Sequence, residues 1–243
     1  MKEKNLNIMG IIGIRSGSKG VPNKNIQNLL NKPLVGWILE AAQESKYINR
    51  LIVSTDSRKY ADIATSFGAE VPCLRPNDLS IDSAPEFEYV KHMINWLEKN
   101  EGYQPDIIVR MMATSPLQAP DDIDATIEML INDDNADSVV VIAEARQHPL
   151  KALKIVKGND DGKKLVSYFS ETGREVTPIA RQSYKQAYFR SNVITCRRKV
   201  IFDTNSLTGD LVRYHIIPQE RAIDIDSNLD FAIAEYLLQK IKK

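Results

Sequence analysis

The residues best suited to chemistry lie in the segment RSGSKGVPNKN, residues 15–25, which directly follows the apolar run IMGIIGI. The segment combines small residues such as Ser16, whose backbone N–H groups can turn toward an anion, with the cations Arg15, Lys19 and Lys24. Its spacing matches neither the Walker A motif nor the G-x-G-x-x-G motif. We therefore predict a phosphate-binding loop of another type; the alternative is a solvated basic loop.

A second candidate set is the sequence IDID at residues 223–226. If this segment is a strand, Asp224 and Asp226 share one face while the two isoleucines point into the core. Two carboxylates on one face can bind a hard cation such as Mg²⁺. The alternative is an acidic helix N-terminus, since the last predicted helix begins at Ser227 and its dipole favours nearby negative charge. Together with a cationic phosphate loop, the pattern favours the metal pair.

Further polar residues are compatible with sugar binding. The segment RMMATSPLQ places Thr114 and Ser115 at the end of a predicted strand, where hydroxyls bind polyols but also serve as ordinary turn or capping residues. Four basic residues are spread along a later polar region: His148, Lys151, Arg181 and Arg190. Arginine suits a sugar carboxylate because its guanidinium presents a planar fork of donors. The alternative is that these cations are simply solvated.

The overall composition limits the class of protein. Lys and Arg together number 32, as do Asp and Glu, so no global basic field predicts nucleic acid or an anionic membrane as a partner. The two cysteines, Cys73 and Cys196, lack metal-type spacing. No segment approaches the ~20 apolar residues that span a bilayer. We expect a cytoplasmic protein that binds anions only locally.

The elements that must position these residues alternate between short β-branched runs and amphipathic segments. Strands are predicted at 8–14, 51–56, 69–75, 106–112, 138–143, 192–196, 211–218 and 222–226. Helices are predicted at 33–45, 58–70, 85–100, 120–132 and 227–241. This alternation predicts an α/β fold with right-handed crossovers and a mostly parallel sheet. We expect one domain over residues 1–243.

The alternation is interrupted between residues 144 and 190. This region is polar and irregular, with weak strand runs only at 151–156 and 165–169. Such an excursion is either a surface insertion or an arm that finds its core on a partner chain. The composition of the region leaves both alternatives open.

Taken in order, these elements resemble the acylneuraminate cytidylyltransferases, the CMP-sialic acid synthetases. The resemblance rests on the sequences IIGIRSGSKGVPNKN, VSTDS, LRPNDLSIDSA, ATSPL, HPLKAL, ARQ, YFRSN and IDIDSNLD. It implies a three-layer, Rossmann-like nucleotidyltransferase in which residues 144–190 form a dimerisation arm that reaches the neighbouring active site. It also implies transfer of CMP from CTP to the anomeric hydroxyl of a nine-carbon α-keto acid sugar, with release of pyrophosphate and Mg²⁺ as cofactor.

The resemblance further implies roles for individual residues. The catalytic residues would be Arg15, Lys24, Asp224 and Asp226, with the two aspartates as the metal ligands. The nucleotide-binding residues would be Arg15, Lys19, Lys24, Asn25, Arg75, Ala84 and Glu86. The sugar-binding residues would be Met112, Thr114, Lys151, Arg181, Arg190 and Asn192, of which Lys151 and Arg181 would act in the neighbouring subunit's site.

Three residues depart from the family pattern: Met112, Glu86 and Ser191. Met112 stands where the family's glutamine contacts the sugar, and an apolar contact suits a deoxy, methyl-ended acceptor such as legionaminic or pseudaminic acid better than sialic acid. Glu86 stands where a small hydroxyl residue is common. Two alternatives remain open, a nucleotidyltransferase acting on KDO or a sugar phosphate, and a non-catalytic nucleotide-binding protein.

Overall fold

A computed structural model describes residues 6–17, 21–157, 162–169 and 184–241 of the chain. The strands are β1 Ile8–Gly13, β2 Asn28–Leu29, β3 Lys32–Pro33, β4 Arg50–Ser54, β5 Ile107–Met111, β6 Ser138–Glu144, β7 Leu153–Lys157, β8 Lys163–Ser167, β9 Tyr188–Arg197 and β10 Val212–Ile216. The α-helices are α1 Leu34–Gln43, α2 Arg58–Ser66, α3 Glu86–Glu101, α4 Pro120–Asn132, α5 Arg198–Thr204 and α6 Asn228–Ile241. Short 3₁₀ turns cover Lys24–Ile26, Asn77–Ser80 and Pro149–Lys151.

Six strands form the central sheet in the order β10-β6-β9-β5-β1-β4. The pairs β10/β6, β5/β1 and β1/β4 are parallel, whereas β9 runs antiparallel to both of its neighbours. The predicted mostly parallel α/β sheet is therefore confirmed. Because β9 is reversed, its amino end lies at the same edge of the sheet as the carboxyl ends of β1, β4 and β5.

Helices cover both faces of the sheet and give three layers. On one face, α1, α2 and α4 pack against apolar side chains of β1, β4, β5 and β6. On the other face, α3 and α5 pack against the alternate residues of β1, β4, β5, β6 and β9. Both faces are apolar because β1, β4, β5 and β6 are largely buried on both sides, whereas the edge strand β10 is mostly exposed. In a smaller hydrophobic cluster, Ala234 and Leu238 of α6 pack against Leu34 at the start of α1.

Two predicted strands are wrong. The segment 69–75 meets the sheet only through an isolated bridge between Glu70 and Ile52, since Pro72 has no N–H to continue a ladder. The segment 222–226 begins in a turn at Ala222 and joins no sheet, and its Ile225 amide donates to the Thr114 carbonyl at 3.0 Å. The alternation of apolar and acidic residues in this segment arises because Ile223 and Ile225 are buried, and not because the segment pairs as a strand.

The region between β6 and β9 contains a separate hairpin. β7 and β8 pair antiparallel with Ile155 opposite Leu165, which confirms the two weak strand runs. Ile155 is 69% exposed and Leu165 58% exposed. The strand β9 begins at Tyr188, so the last residues of the region 144–190 belong to the central sheet.

None of the helices in the described part of the chain is long and apolar enough to cross a membrane.

Candidate functional site

A cleft of about 420 Å³ opens beyond the carboxyl ends of β1, β4 and β5. This is the edge at which ligands collect in open α/β sheets. The cleft brings together predicted residues from four separate parts of the chain, 15–25, 75–86, 112–114 and 226: Arg15, Lys24, Asn25, Arg75, Ala84, Glu86, Met112, Thr114 and Asp226. It is also lined by residues that were not predicted: Gly13, Leu79, Ile81, Asp82, Tyr89 and Ala113.

The beginning of the first loop is held by the neighbouring strand β4. The Ile14 amide donates to the Ser54 carbonyl at 3.0 Å. The Ser16 amide and hydroxyl donate to the two carboxylate oxygens of Asp56, at 2.9 and 2.8 Å. The Ser16 N–H, which was predicted to turn toward an anion, thus binds the Asp56 carboxylate in this structure. Lys19 lies outside the described residues.

The second half of the loop links the cleft to the C-terminal region. Lys24 follows Asn23, which adopts a left-handed conformation with φ 55°. The Lys24 ammonium donates to Asp226 Oδ1 at 2.9 Å and to the Ile225 carbonyl. The buried Asn25 amide donates to the Arg15 carbonyl at 3.3 Å. The predicted phosphate-binding loop therefore meets one of the two predicted metal ligands, Asp226.

A buried arginine forms the floor of the cleft. Arg75 donates from Nε to Ser54 Oγ at 3.0 Å and from Nη2 to the Ser54 carbonyl at 2.7 Å, and it lies 4.2 Å from the centroid of the Tyr89 ring. Burial lowers the pKa of Arg75 and raises the pKa of Tyr89 to about 12. A Cβ at Gly13 would lie 2.7 Å from Tyr89 and 2.9 Å from Arg75, so only glycine allows this close approach.

Two further ion pairs hold side chains of the cleft. Arg15 pairs with Asp82, an acid in the quoted LSIDSA sequence whose role was not predicted. Glu86 pairs with the buried Arg110 at 3.2 Å. Arg110 lies in an otherwise apolar strand, and this charge was the sequence signal that could have identified it.

Asp224 and Asp226 point to the same side of their segment, because Ile223 and Ile225 are buried on the other. Loss of hydration raises the pKa of Asp224, the negative charge of Asp226 raises it further, and the side chains of Thr114 and Asn192 oppose the rise. A bound cation would relieve this repulsion.

The acidic pair fits a magnesium ion that is shared with a substrate. Within the described ranges, no group of three or more His, Cys, Asp or Glu side chains could hold a metal ion. Mg²⁺ commonly binds through one or two carboxylates together with water and substrate phosphates. The residues present therefore fit a Mg²⁺ ion that is completed by phosphate oxygens rather than by a full set of protein ligands.

A second cavity of about 330 Å³ lies beside Asp224 and contains Arg190, another predicted residue. Its lining also includes Arg146 and Phe189, which were not predicted. Asn192 lies nearby on β9 and donates to Ser115 Oγ at 2.7 Å. The structure thus places Arg190 and Asn192 next to Asp224 but outside the lining of the first cleft.

The predicted residues of the 144–190 region are not all brought to the site. Lys151 ends a 3₁₀ turn, with its ammonium 5.8 Å from the ring centroid of Tyr184. It lines neither of the two cavities described above. Arg181 lies outside the described residues.

Each comparison with known proteins identifies cytidylyltransferases or CMP-sugar synthetases among the relatives or structural neighbours. A sequence model of the cytidylyltransferase family matches residues 9–235. The N-acylneuraminate cytidylyltransferase of Escherichia coli is 30% identical over 233 residues, which are 96% of this chain but 52% of that protein. This chain therefore spans about half the length of that relative.

Two bacterial relatives match over nearly their whole length. Post-translational flagellin modification protein B of Campylobacter coli is 30% identical over 234 residues, 96% of this chain and 95% of that protein. The CMP-N,N'-diacetyllegionaminic acid synthase of Legionella pneumophila is 27% identical over 235 residues, 96% of this chain and 97% of that protein.

Solved structures share the fold. A CMP:2-keto-3-deoxy-manno-octonic acid synthetase in complex with CTP aligns with a TM-score of 0.69 at 15% identity, over 96% of this chain and 99% of that one. A 4-diphosphocytidyl-2C-methyl-D-erythritol synthase from Anaerococcus prevotii aligns with a TM-score of 0.60 at 14% identity, over 97% and 100%. At these identities the likeness concerns the three-layer architecture alone.

Proposed function

Because the chain belongs to the cytidylyltransferase family, we propose that it transfers CMP from CTP to the anomeric hydroxyl of a nonulosonic acid and releases pyrophosphate. The observation that carries this proposal is the contact of Lys24 with Asp226 at 2.9 Å, which joins the cationic loop in the first cleft to the acidic segment whose Asp224 lines the second cavity. Nucleotidyl transfer needs both, since negative charge develops on the α-phosphate and on the leaving pyrophosphate.

Residues of the first loop would bind the triphosphate. Arg15 and Lys24 line the cleft, and each is paired with a carboxylate that CTP phosphates would replace. Asn25 would hold the loop through the Arg15 carbonyl. Lys19 is proposed to lie beside the phosphates. These cations would neutralise the triphosphate and hold the α-phosphorus in line with the acceptor hydroxyl.

The nucleoside would lie against the opposite wall of the cleft. Arg75, Ala84 and Glu86 line this wall. The buried guanidinium of Arg75 is fixed by Ser54 and Tyr89, so it offers a rigid positive floor that does not reorganise when the nucleotide binds.

Asp224 and Asp226 would hold Mg²⁺, a proposal supported by their shared exposed side and by the raised pKa of Asp224. The ion would supply positive charge at the phosphates when bound. Lys24 would then leave Asp226 and turn to a phosphate oxygen. The lysine and the metal ion would together neutralise the negative charge of the phosphates.

The acceptor would occupy the space between the two cavities. Thr114 lines the first cleft and Arg190 the second, with Asn192 between them. The buried Thr114 hydroxyl faces Asp224 at the edge of the first cleft, where it would bind a sugar hydroxyl. Arg190 would bind the carboxylate.

Met112 supports a deoxy, methyl-ended acceptor such as legionaminic or pseudaminic acid. Its side chain lines the cleft with an apolar surface, where the family's glutamine would offer hydrogen bonds to the hydroxylated tail of sialic acid. The Legionella pneumophila relative, 97% of whose length is matched, carries a legionaminic acid in its name.

A homodimer is proposed from the hairpin β7–β8. A two-stranded hairpin is marginally stable in water on its own, and this one leaves Ile155 and Leu165 exposed on one face. A second copy of the chain would cover that face, and Lys151 and Arg181 would then reach the partner's acceptor site. We further propose that the enzyme works in the cytoplasm.

One assay tests the proposed reaction. The protein is incubated with Mg²⁺ and each nucleoside triphosphate against a panel of nonulosonic acids, KDO and sugar phosphates, and pyrophosphate release is followed. We expect release with CTP and a nonulosonic acid, fastest with a legionaminic or pseudaminic acid. Release without acceptor preference, or no release with any pair, would contradict the proposal. A preference for KDO or a sugar phosphate would favour the other nucleotidyltransferase reaction.

A further inference from the structure

Arg110 is a charged side chain in a position that the core should fill with an apolar one. It lies in β5 on the same face as Ile108, which packs against α3. Only 3% of Arg110 is exposed. Burying a guanidinium is unfavourable unless it is paired and hydrogen-bonded, so its partners explain why the residue is tolerated.

The partners of Arg110 come from two walls of the candidate site. Nη2 lies 3.2 Å from Glu86 Oε2 at the start of α3. Nη1 donates to the Asn192 carbonyl of β9 at 3.3 Å, and Nε has no hydrogen-bond partner among the described residues. Glu86 lines the nucleotide cleft, and the Asn192 side chain holds Ser115.

We propose that Arg110 is a positioning residue of the nucleotide site, which holds the Glu86 carboxylate against the cleft wall as a fixed hydrogen-bond acceptor for the nucleoside. This inference rests on the proposed function. An unpaired carboxylate would repel a triphosphate, whereas pairing with Arg110 cancels that charge and leaves the second oxygen of Glu86 as an acceptor. The donor on the nucleoside is either a ribose hydroxyl or the exocyclic amine of the base.

Stability alone is a weak reason to keep this ion pair. Replacing a buried ion pair by apolar residues of similar volume is often neutral or stabilising. The side chain of Glu86 is the accessible partner: it is 46% exposed and lines the cleft. The location of the accessible half points to ligand binding.

The test compares three variants, Arg110→Met, Glu86→Met and the double variant. The Kd of CTP is measured by calorimetry with Mg²⁺ and without acceptor, and the Tm by scanning calorimetry. Each single variant should weaken CTP binding roughly tenfold or more, as expected for a lost hydrogen bond to a charged group. The double variant should bind CTP no more weakly than either single one. Its Tm should recover because no unpaired charge remains buried, while its Kd stays high.

The matched control is Arg198→Met. Arg198 also pairs with a glutamate, Glu98, at 2.7 Å. Its amide donates to the Asp106 carbonyl, which places it at the amino end of β5, away from the cleft. This variant should leave the Kd of CTP unchanged.

Two sets of results separate the outcomes. If the wild-type protein binds CTP and Arg110→Met binds it equally well, or if the double variant recovers both Tm and Kd, the inference is wrong. If the wild-type protein does not bind CTP, the proposed function fails first.

The donor is identified with dCTP and UTP: Glu86→Met should lose discrimination against dCTP if the ribose donates, and against UTP if the amine donates.

Discussion

Lys24 of the first loop and Asp226 near the C-terminus form an ion pair of 2.9 Å, although 202 residues separate them along the chain. The lysine is largely buried and the aspartate largely exposed. In this state the proposed phosphate ligand and the proposed metal ligand neutralise each other. Under the proposed function, a metal-bound triphosphate would replace this pair, with Lys24 turning to a phosphate and Asp226 to the metal.

The first prediction concerns the cation of this pair. We expect Lys24→Met to lower kcat for pyrophosphate release by roughly 100-fold or more, as when one preorganised group that stabilises transition-state charge is removed. The reason is that Lys24 lines the cleft and would neutralise negative charge on the triphosphate there. Steady-state kinetics at saturating CTP would measure the effect.

The matched control for that variant is Lys32→Met. Lys32 is also a largely buried lysine that pairs with an acid, Glu40, and it lies 3.8 Å from the Trp37 ring centroid, outside the cleft. Equal loss of kcat in both variants would show that the effect at Lys24 is one of folding and not of catalysis.

The second prediction concerns the metal. We expect Asp226→Ala to lower kcat by roughly two orders of magnitude or more at every Mg²⁺ concentration. Kinetics across a Mg²⁺ titration would measure this, with chelation of the metal from the wild-type protein as a parallel loss. Asp62→Ala, at an exposed position of α2, is the control. A near-normal rate for Asp226→Ala at saturating Mg²⁺ would remove Asp226 from the proposed metal site.

Much of the fold could be predicted from the sequence because helices and strands differ in apolar period. The apolar runs at β1, β4 and β6 are continuous and bounded by polar residues, and that of β5 is interrupted only by Arg110, which fits buried parallel strands. The direction of β9 could not be predicted in this way, because an apolar run has no direction. That reversal is what brings Asn192 to the same edge as Thr114.

The sequence predicted many of the residues that line the candidate site, but not which of their side chains pair with each other. Position after a strand was enough to select Arg15 and Thr114, since strand ends share one edge of the sheet. Capture of the Ser16 amide by Asp56 depends on the adjacency of β1 and β4, which the sequence does not give. The Arg110 contact with Glu86 depends in the same way on how α3 packs over β5.

The third prediction concerns the acceptor. Met112→Gln should lower the ratio of kcat/KM for N,N'-diacetyllegionaminic acid to kcat/KM for N-acetylneuraminic acid by roughly tenfold, because the amide offers hydrogen bonds to hydroxyl groups. Met112→Leu keeps the apolar contact and is the control, with an unchanged ratio. An equal change in the two variants, or none in Met112→Gln, would mean that this residue does not select the acceptor.

The fourth prediction concerns assembly. If the exposed face of the hairpin is a dimer interface, Ile155→Ser combined with Leu165→Ser should convert a dimer into a monomer, because the two side chains are opposite each other and supply its apolar surface. Sedimentation velocity would measure the change. Lys164→Ser lies on the other face of the hairpin and should leave the dimer intact. A monomeric wild-type protein would contradict the proposed arm.

The fifth prediction concerns stability and pH at Asp137, outside the candidate site. Its Oδ2 accepts hydrogen bonds from the amides of Asp210 and Leu211, at 2.9 and 3.0 Å. These bonds lower the pKa of Asp137 below its ordinary value of 3.8. The carboxylate therefore contributes stability that is fully present above the unfolded pKa and is lost as pH falls through the lower folded pKa.

We accordingly expect Asp137→Asn to lower the free energy of unfolding by about 1 kcal/mol near pH 7, the usual size of a charge-assisted hydrogen bond at a partly exposed site. The difference should shrink as pH falls below 3.8, the ordinary pKa of an aspartate, toward the lower folded pKa of the wild-type carboxylate. Thermal denaturation of both proteins across that range would measure it, with the exposed Asp134→Asn as the control. A difference that stays constant with pH would show that packing against Gly209, not charge, is what Asp137 contributes.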